Sequence, residues 1–285
     1  MDKRKHLKKM LGSGKIVASP GIHDSWGAKI VEDAGFQVCS ISGFCLAGSM
    51  GFPDLGLMTM DEVVNRSRYI AESVNIPVIG DADTGYGTSI NVARTIKEFE
   101  NAGVAGVHIE DQPNPKRCGA MEGKQVVSTK EMVGRIKAAV DARVDENFLI
   151  IARTDAPSIT SMEDTIDRCN QYIEAGADVT MAIGHMKRED IIRIGAEVKG
   201  WKYGVLTGSG IAPAISLFDL EKMGYQAAGM PLQLLMRQLW VARKMLEDLK
   251  TKGTIEHLRP EMVSFDELTQ FQNLKKYQEM EAKYD

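Results

Sequence analysis

Acidic residues recur in short phrases, each at the end of an apolar run. "GDADTGYG" carries Asp81 and Asp83, "HIEDQ" carries Glu110 and Asp111, and "ARTDA" carries Arg153 and Asp155. Asp81 and Asp83 are two apart, so in an extended strand both side chains point to one face. With Glu110 they make a carboxylate cluster that is costly to bury unless something positive neutralises it. A hard divalent cation, held partly through water, is the natural partner. Any one of these acids alone more often caps a helix or pairs with Arg153; their occurrence on successive strands favours the metal. Arg153 offers a planar fork of donors suited to a substrate carboxylate, its plainer role being a structural pair with Asp155 or Glu110. In "SISG", Ser42 and Gly43 present a hydroxyl and backbone N–H groups to an anion, although "SG" alone is a turn signal.

A second source of chemistry is the stretch "EDQPNPKRCGAMEGKQ". From Gln112 to Ser128 the chain has about 17 residues without a periodic pattern, and structureless loops beyond about 12–15 residues in compact domains are usually functional or disordered. Cys118 stands among Lys116, Arg117 and Lys124, a positive setting expected to lower a thiol's pKa. Gly119 and Gly123 supply flexibility. A lone loop cysteine is more often inert, and the position beside two acidic strand ends is what directs this one toward catalysis.

These groups need a frame that brings strand ends together. Eight short apolar runs read as buried parallel strands: 15–19, 38–42, 78–81, 106–109, 148–152, 178–183, 203–206 and 226–229. Helix-period segments separate them, with apolar stripes at Val92, Ile96 and Phe99, at Ile166, Cys169 and Ile173, and at Leu235, Leu239, Leu246 and Leu249. Thr59 and Ser161 precede acidic pairs as N-caps, and "DAGF", "NAGV", "EAGA" and "KMGY" close four helices with glycine. Eight βα units in unbroken succession predict an α/β fold of the (β/α)8 TIM-barrel type, with a doubly wound sheet as the alternative. In such a barrel, catalytic groups sit at the carboxyl ends of strands. The expected organisation is one domain over 1–285, a lid at about 112–128 and a helical extension from about 232, broken at "GTIEHLRPEMVSF". The segment 266–283 reads as a single, weakly amphipathic helix packing on a neighbouring subunit.

The composition sets outer limits. The 285 residues are 44% hydrophobic and 26% charged, suiting a protein with a large core, and the net charge of −4 gives no field for nucleic acid. The basic cluster 3–9 reads as a solvated helix face whose apolar edge is Leu7, Met10 and Leu11. No apolar run reaches the roughly 18 residues of a membrane span, and no secretory leader is visible. The four cysteines, Cys39, Cys45, Cys118 and Cys169, have neither metal-ligand spacing nor a disulfide pattern, which suits a cytoplasmic protein with reduced thiols.

Read together, the phrases "PGIHDSWGAKIVEDAGF", "SISGF", "GFPDLGLMTMDEV", "DADTGYG", "VHIEDQ", "KRCG", "RIKAAVDAR" and "ARTDA" resemble, in order, the isocitrate lyase/phosphoenolpyruvate mutase superfamily over roughly residues 15–250. "KRCG" is similar to the lyase branch, which includes 2-methylisocitrate and 2,3-dimethylmalate lyases. The resemblance implies a homotetramer that swaps its last helix between subunits. It implies Mg2+, with Mn2+ as the substitute, near Asp81, Asp83 and Glu110, and Asp54 in the outer shell. Substrate carboxylate would sit against Ser42, Gly43 and Arg153, with Tyr86 and Lys116 nearby. Cys118, followed by Gly119, would be the general acid on a closing loop. The implied substrate is a 2-hydroxy dicarboxylate: loss of the hydroxyl proton breaks the C2–C3 bond, leaving a 2-oxo acid and a carbanion that Cys118 protonates. Tyr86 and a water on the metal are the candidates for the base.

The chain departs from the lyase pattern on one side. Ala120 stands where a histidine follows "KRCG", and Ser40 where a tyrosine precedes "SG". Ala182 and Ile183 replace a glutamate on the sixth strand, and Leu206 and Thr207 an asparagine on the seventh. The metal and oxo-acid half is intact, while the half that would hold the second product has lost polar groups. An apolar pocket fits propionate better than succinate, so 2,3-dimethylmalate is the expected substrate and methylisocitrate the second. The alternatives on this fold are phosphonomutase or phosphonopyruvate hydrolase chemistry and oxaloacetate decarboxylation or hydrolysis; outside enzymes, it is a degenerate ligand-binding oligomer.

Overall fold

The computed structural model describes residues 2–206 and 213–284. Eight parallel strands close into a barrel in sequence order: β1 (Val17–Ile22), β2 (Cys39–Ile41), β3 (Val78–Asp81), β4 (Gly106–Glu110), β5 (Leu149–Thr154), β6 (Val179–Ala182), β7 (Trp201–Val205) and β8 (Ala227–Met230). β1 pairs with both β2 and β8, which closes the ring. The fold is the (β/α)8 barrel expected from the alternation, and every strand lies within three residues of its expected bounds. Side chains alternate across each strand. Ile79, Leu149, Ile151, Val179, Met181, Tyr203 and Ala227 fill the interior. Val107, Ile109, Ile150 and Ala152 face outward onto the helices.

The surrounding helices are α2 (Ser25–Asp33), α3 (Gly43–Ser49), α4 (Met60–Ser73), α5 (Ser89–Asn101), α6 (Thr129–Ala142), α7 (Met162–Glu174), α8 (Arg188–Glu197) and α9 (Leu217–Lys222). Thr59 caps α4 in a reciprocal capping box with Glu62, and Ser161 caps α7 through Asp164 N–H. The glycines of the four closing phrases, Gly35, Gly103, Gly176 and Gly224, take φ of 84°, 84°, 104° and 85°, the left-handed turn a helix end requires. Helix α3 was not legible in the sequence, because "FCLAGS" has no polar face to reveal its period.

Ahead of the barrel, α1 (Lys3–Leu11) places Leu7, Met10 and Leu11 in the same buried cluster as the barrel interior, so it plugs one end. Its basic residues are not simply the solvated face expected. Lys3 Nζ donates to the Ala71 and Val74 carbonyls at the end of α4 (2.7 and 2.6 Å), and Arg4 pairs with Glu100 and Asp145 (3.4 and 3.3 Å).

The chain divides into two compact units, Met1–Leu234 and Leu235–Asp285. α10 (Gln233–Lys252) is followed by a short 3-10 turn (Glu256–Glu261), then α11 (Phe265–Phe271) and α12 (Leu274–Glu281). The last two replace the single helix expected over 266–283: Asn273, in left-handed conformation at φ 56°, breaks it. These three helices contain no buried residue, and Leu239, Trp240, Leu246, Phe265 and Tyr277 are exposed. Among the described residues no helix is long and apolar enough to cross a membrane.

Candidate active site at the carboxyl end of the barrel

Alternation along adjacent strands brings Ser42, Asp81, His108, Glu110 and Arg153 to one end of the barrel. The register sets Asp81 beside His108 and Glu110 beside Arg153. A cavity of about 110 Å³ opens among them, lined on this side by Ser42, Asp54, Asp81, His108, Cys118 and Arg153. Arg153 is held on two sides: Nη1 lies 2.8 Å from Glu110 Oε2, Nη2 donates to Asp155 Oδ1 at 3.1 Å, and Nε lies 3.0 Å from Asp155 Oδ2. The structural pairing weighed for Arg153 is therefore present, and Nη1 and Nη2 each keep one further hydrogen for a ligand.

The expected metal ligands meet a cation supplied by the chain itself. Lys116 Nζ is in contact with Asp54 Oδ1 and lies 2.9 Å from Asp83 Oδ1. Lys116, expected against substrate, thus lies across the carboxylates. It lines no part of that cavity. Burial pushes Asp83 up to about 6, with Lys116 opposing and Asp81 adding to the rise. Glu110 is held well above the carboxylate range, first by burial, against the relief from Arg153 and Lys116. For Asp81 burial is outweighed by Lys116, His108 and Arg153, and its pKa falls. His108 is pushed down to about 4, mainly by burial, and stands neutral with Nε2 buried and unpartnered.

Whether these residues fit a divalent cation can be judged from the donors. Taken as ionised, Asp54, Asp81, Asp83, Glu110 and Asp155 face only Lys116, Lys124 and Arg153, which leaves two negative charges. All donors are hard oxygens, and Glu110 Oε1 is buried with no hydrogen-bond partner. Among the described residues no three acids converge as a ready coordination sphere, and Lys116 contacts two of them, Asp54 and Asp83. By donor type and charge the set fits Mg2+, which would share these carboxylates with Lys116.

Several expected residues take other positions. Gly43 gives its N–H to Asp81 Oδ2 (3.0 Å), so that donor is spent on a carboxylate of the protein. A Cβ there would sit 2.7 Å from the same oxygen, which explains the glycine. Ser42 caps α3 through Cys45 N–H at 3.4 Å and still lines the cavity. Tyr86, at φ 59°, lies beneath with Asp54, Asp81 and Asp83, outside the main cavity. Its hydroxyl is buried without a partner. Burial, and then the nearby carboxylates Asp83, Asp81, Glu110 and Asp54, push its pKa well up, which makes it a poor base. Asp111 faces away from the cavity. It accepts from Thr154 Oγ1 (2.6 Å), Tyr172 OH (2.8 Å) and the Asp155 N–H (3.0 Å), which fixes the end of β5.

The loop 112–128 covers the cavity and is pinned rather than loose. Gln112 brackets Arg117, accepting from its N–H (3.0 Å) and donating to its carbonyl (2.8 Å). The Cys118 N–H donates to the Asp54 carbonyl (3.0 Å), and Val127 N–H to the Asp111 carbonyl (2.8 Å). Cys118 and Gly119 form part of the cavity wall. The thiol pKa is raised, not lowered as its basic neighbours suggested. Burial dominates, and a hydrogen bond from Ala120 N–H with the charges of Arg153 and Lys116 offsets it only in part. A protonated thiol suits a proton donor better than a nucleophile.

The opposite wall is Phe44, Met181, Ile183, Val205, Pro231 and Leu232. Ile183 faces the cavity at the end of β6, where a glutamate was missed in the sequence, and Ala182 faces outward. Leu206 follows β7; Thr207 lies outside the described residues. Near Ser40 the space is filled from across the barrel: the Tyr203 hydroxyl lies 3.5 Å from Ser40 Oγ, and its ring meets His108 edge-on at 5.2 Å. A Cβ at Gly229 would sit 2.5 Å from that hydroxyl. His108 and Tyr203 were not picked out from sequence, and Lys124 and Asp155 were named there only beside Cys118 and Arg153. His108 could have been: it is two residues before Glu110 and so shares its face.

Residues 7–249 match the family described as phosphoenolpyruvate phosphomutase. The chain is 38% identical over 283 residues to the 2,3-dimethylmalate lyase of Eubacterium barkeri, covering 98% of this chain and 96% of that one. It is 35% identical over 277 residues to the 2-methylisocitrate lyase of Aeropyrum pernix, covering 97% and 88%. A crystal structure of 2,3-dimethylmalate lyase, described as a PEP mutase/isocitrate lyase superfamily member, superposes with a TM-score of 0.93 at 32% identity, covering 100% of this chain and 96% of that one.

Proposed function

This chain belongs to the phosphoenolpyruvate mutase/isocitrate lyase superfamily, and from that premise we propose that it is a Mg2+-dependent carbon–carbon lyase. Its substrate is a 2-hydroxy dicarboxylate of the 2,3-dimethylmalate type, cleaved to pyruvate and propionate. The observation that carries the substrate is the division of the cavity. Charged groups line it from β2 to β5, and Met181, Ile183, Val205, Pro231 and Leu232 line it from β6 to β8. A methylisocitrate would bring a further carboxylate to that second wall, where no described lining residue carries a positive charge. An apolar wall tolerates an alkyl group and leaves a carboxylate unpaired.

In this reading the free hydrogens of Arg153 and the hydroxyl of Ser42 hold the C1 carboxylate. Asp81, Asp83 and Glu110, with Asp54 further out, would hold the cation. When bound, Mg2+ supplies positive charge beside the 2-oxo acid fragment. A water held at the carboxylate cluster takes the C2 hydroxyl proton, since Tyr86 is a poor base, and the C2–C3 bond breaks. Its electron pair moves onto C3, next to the second carboxylate, and Cys118 delivers a proton to that carbon. The loop keeps water from doing so first. The C-terminal unit supports the homotetramer with exchanged last helices: its helices bury nothing of their own and expose Leu239, Trp240 and Leu246. Mass measured by light scattering tests that assembly.

The test of function is a panel of 2-hydroxy dicarboxylates with Mg2+, following 2-oxo acid release and identifying the second product. Pyruvate with propionate from dimethylmalate is expected. Turnover only of phosphoenolpyruvate or phosphonopyruvate, or only of oxaloacetate, assayed beside the panel, would replace this reading with one of its relatives' chemistries.

A further inference from the structure

Two buried ammonium groups hold the loop down, and they end on different carboxylates. Lys116 reaches the expected metal ligands, whereas the Lys124 side chain, 3% exposed, goes elsewhere. Its Nζ donates to the Gly119 carbonyl at 2.5 Å and to Asp155 Oδ1 at 3.1 Å. Asp155 is fully buried, and the same Oδ1 accepts from Arg153 Nη2 at 3.1 Å. The backbone beneath that carboxylate is fixed as well, the Asp155 N–H donating to Asp111 Oδ1 at 3.0 Å. Gly119 is therefore gripped between Lys124 on one side and Arg153 on the other. A Cβ on it would sit 2.6 Å from both Arg153 Nη2 and Ile183 Cγ2, so the backbone next to Cys118 lies flat on the guanidinium.

We propose that Lys124 is a positioning residue for Cys118: through Asp155 and the Gly119 carbonyl it locks the loop onto Arg153, so that anion binding and loop closure reinforce each other. The physical reason is charge. A carboxylate arriving at Arg153 adds a negative charge beside buried Asp155, and Lys124 is the cation placed to compensate it. When the loop lifts, the ammonium regains water and Asp155 is left with Arg153 alone. Removing one member of such a buried set is strongly unfavourable for the closed form. The role given to Cys118 rests on the lyase reading, but the latch itself is a statement about the loop.

The test uses the full chain and peptide-resolved mass spectrometry of iodoacetamide labelling. Cys118 is partly exposed, while Cys39, Cys45 and Cys169 are buried and report on unfolding. Lys124→Met is expected to speed Cys118 labelling roughly tenfold or more, to lower kcat and to raise KM, as the closed population falls and anion binding loses its coupling to closure. Pyruvate should slow labelling in the unaltered protein and much less in Lys124→Met. Arg117→Met removes an exposed cation of the same loop and should label Cys118 at the unaltered rate. Labelling of Cys118 unchanged in Lys124→Met would overturn the latch. So would an equal effect from Arg117→Met, or a rise at the three buried cysteines in step with Cys118. Because labelling needs no turnover, the absence of any lyase activity in the unaltered protein would remove the substrate assignment and leave this result standing.

Discussion

The mouth of the barrel has two halves built on opposite principles. From β2 to β5, each charged side chain is fixed by a polar partner: Asp81 by the Gly43 N–H, Lys116 by Asp54 and Asp83, Arg153 by Glu110 and Asp155, Lys124 by Asp155. From β6 to β8 the wall is hydrocarbon apart from the Tyr203 hydroxyl, and its contacts are mostly non-directional. Changing one residue of the first half strands a buried partner, so the set is constrained as a unit. The second half can change size or shape one residue at a time at the cost of packing alone. On the proposed lyase reading, chemistry belongs to the constrained half and selectivity to the free one.

The largest expected effect falls on the loop over the constrained half. Cys118→Ala should lower turnover by about 10²–10⁴-fold, the contribution of a positioned general acid, measured as pyruvate release with the melting temperature unchanged. Near-normal turnover would move the reaction toward oxaloacetate decarboxylation or hydrolysis, which does not require a proton donor at that position. The next effect is on selectivity. Ile183→Lys puts a charge into the hydrocarbon wall and should shift the ratio of kcat/KM for dimethylmalate over methylisocitrate by roughly 10–200-fold toward the latter. An unchanged ratio would mean that the second wall does not meet the departing fragment. Glu110→Gln should then weaken Mg2+ binding roughly 10–100-fold in calorimetry; equal affinity would remove Glu110 from the metal set and leave it as the partner of Arg153.

The same contrast decides what could be read from sequence. The barrel was legible because eight apolar runs and glycine-closed helices repeat one local rule, and local rules survive in a single chain. That Asp81, Glu110 and Arg153 gather at one end of the barrel was legible because all three stand at strand ends, although the bland pairing of Arg153 with Glu110 and Asp155 is also present. The connections among them were not. Nothing local says that Lys116 crosses to Asp54, that Gly43 spends its N–H on Asp81, or that burial outweighs the basic neighbours of Cys118 and raises its thiol pKa. Each depends on residues far apart in the chain. Tyr203 is the sharpest case: a tyrosine on β7 reaching Ser40 on β2 needs the closed ring to be seen at all.

Tyr203 also gives the smallest effect and the finest test of the division. Its hydroxyl touches Ser40 Oγ at 3.5 Å, the outer limit of a hydrogen bond, and its ring packs on His108. Tyr203→Phe keeps the ring and removes only the hydroxyl. The expected cost is about 0.5–1.5 kcal/mol of stability, near the lower end for so long a contact, read from denaturant midpoints. Turnover of dimethylmalate should stay within a few-fold, because on this reading the hydroxyl supports the floor of the cavity and takes no part in moving a proton. A larger loss of kcat at unchanged KM would carry catalysis across the barrel, since the hydroxyl meets Ser40 on β2 and the ring packs on His108, whose Nε2 is unpartnered, and both residues line the cavity. The two walls would then be one machine, and the hydrocarbon of β6 to β8 would have to be read as part of its chemistry.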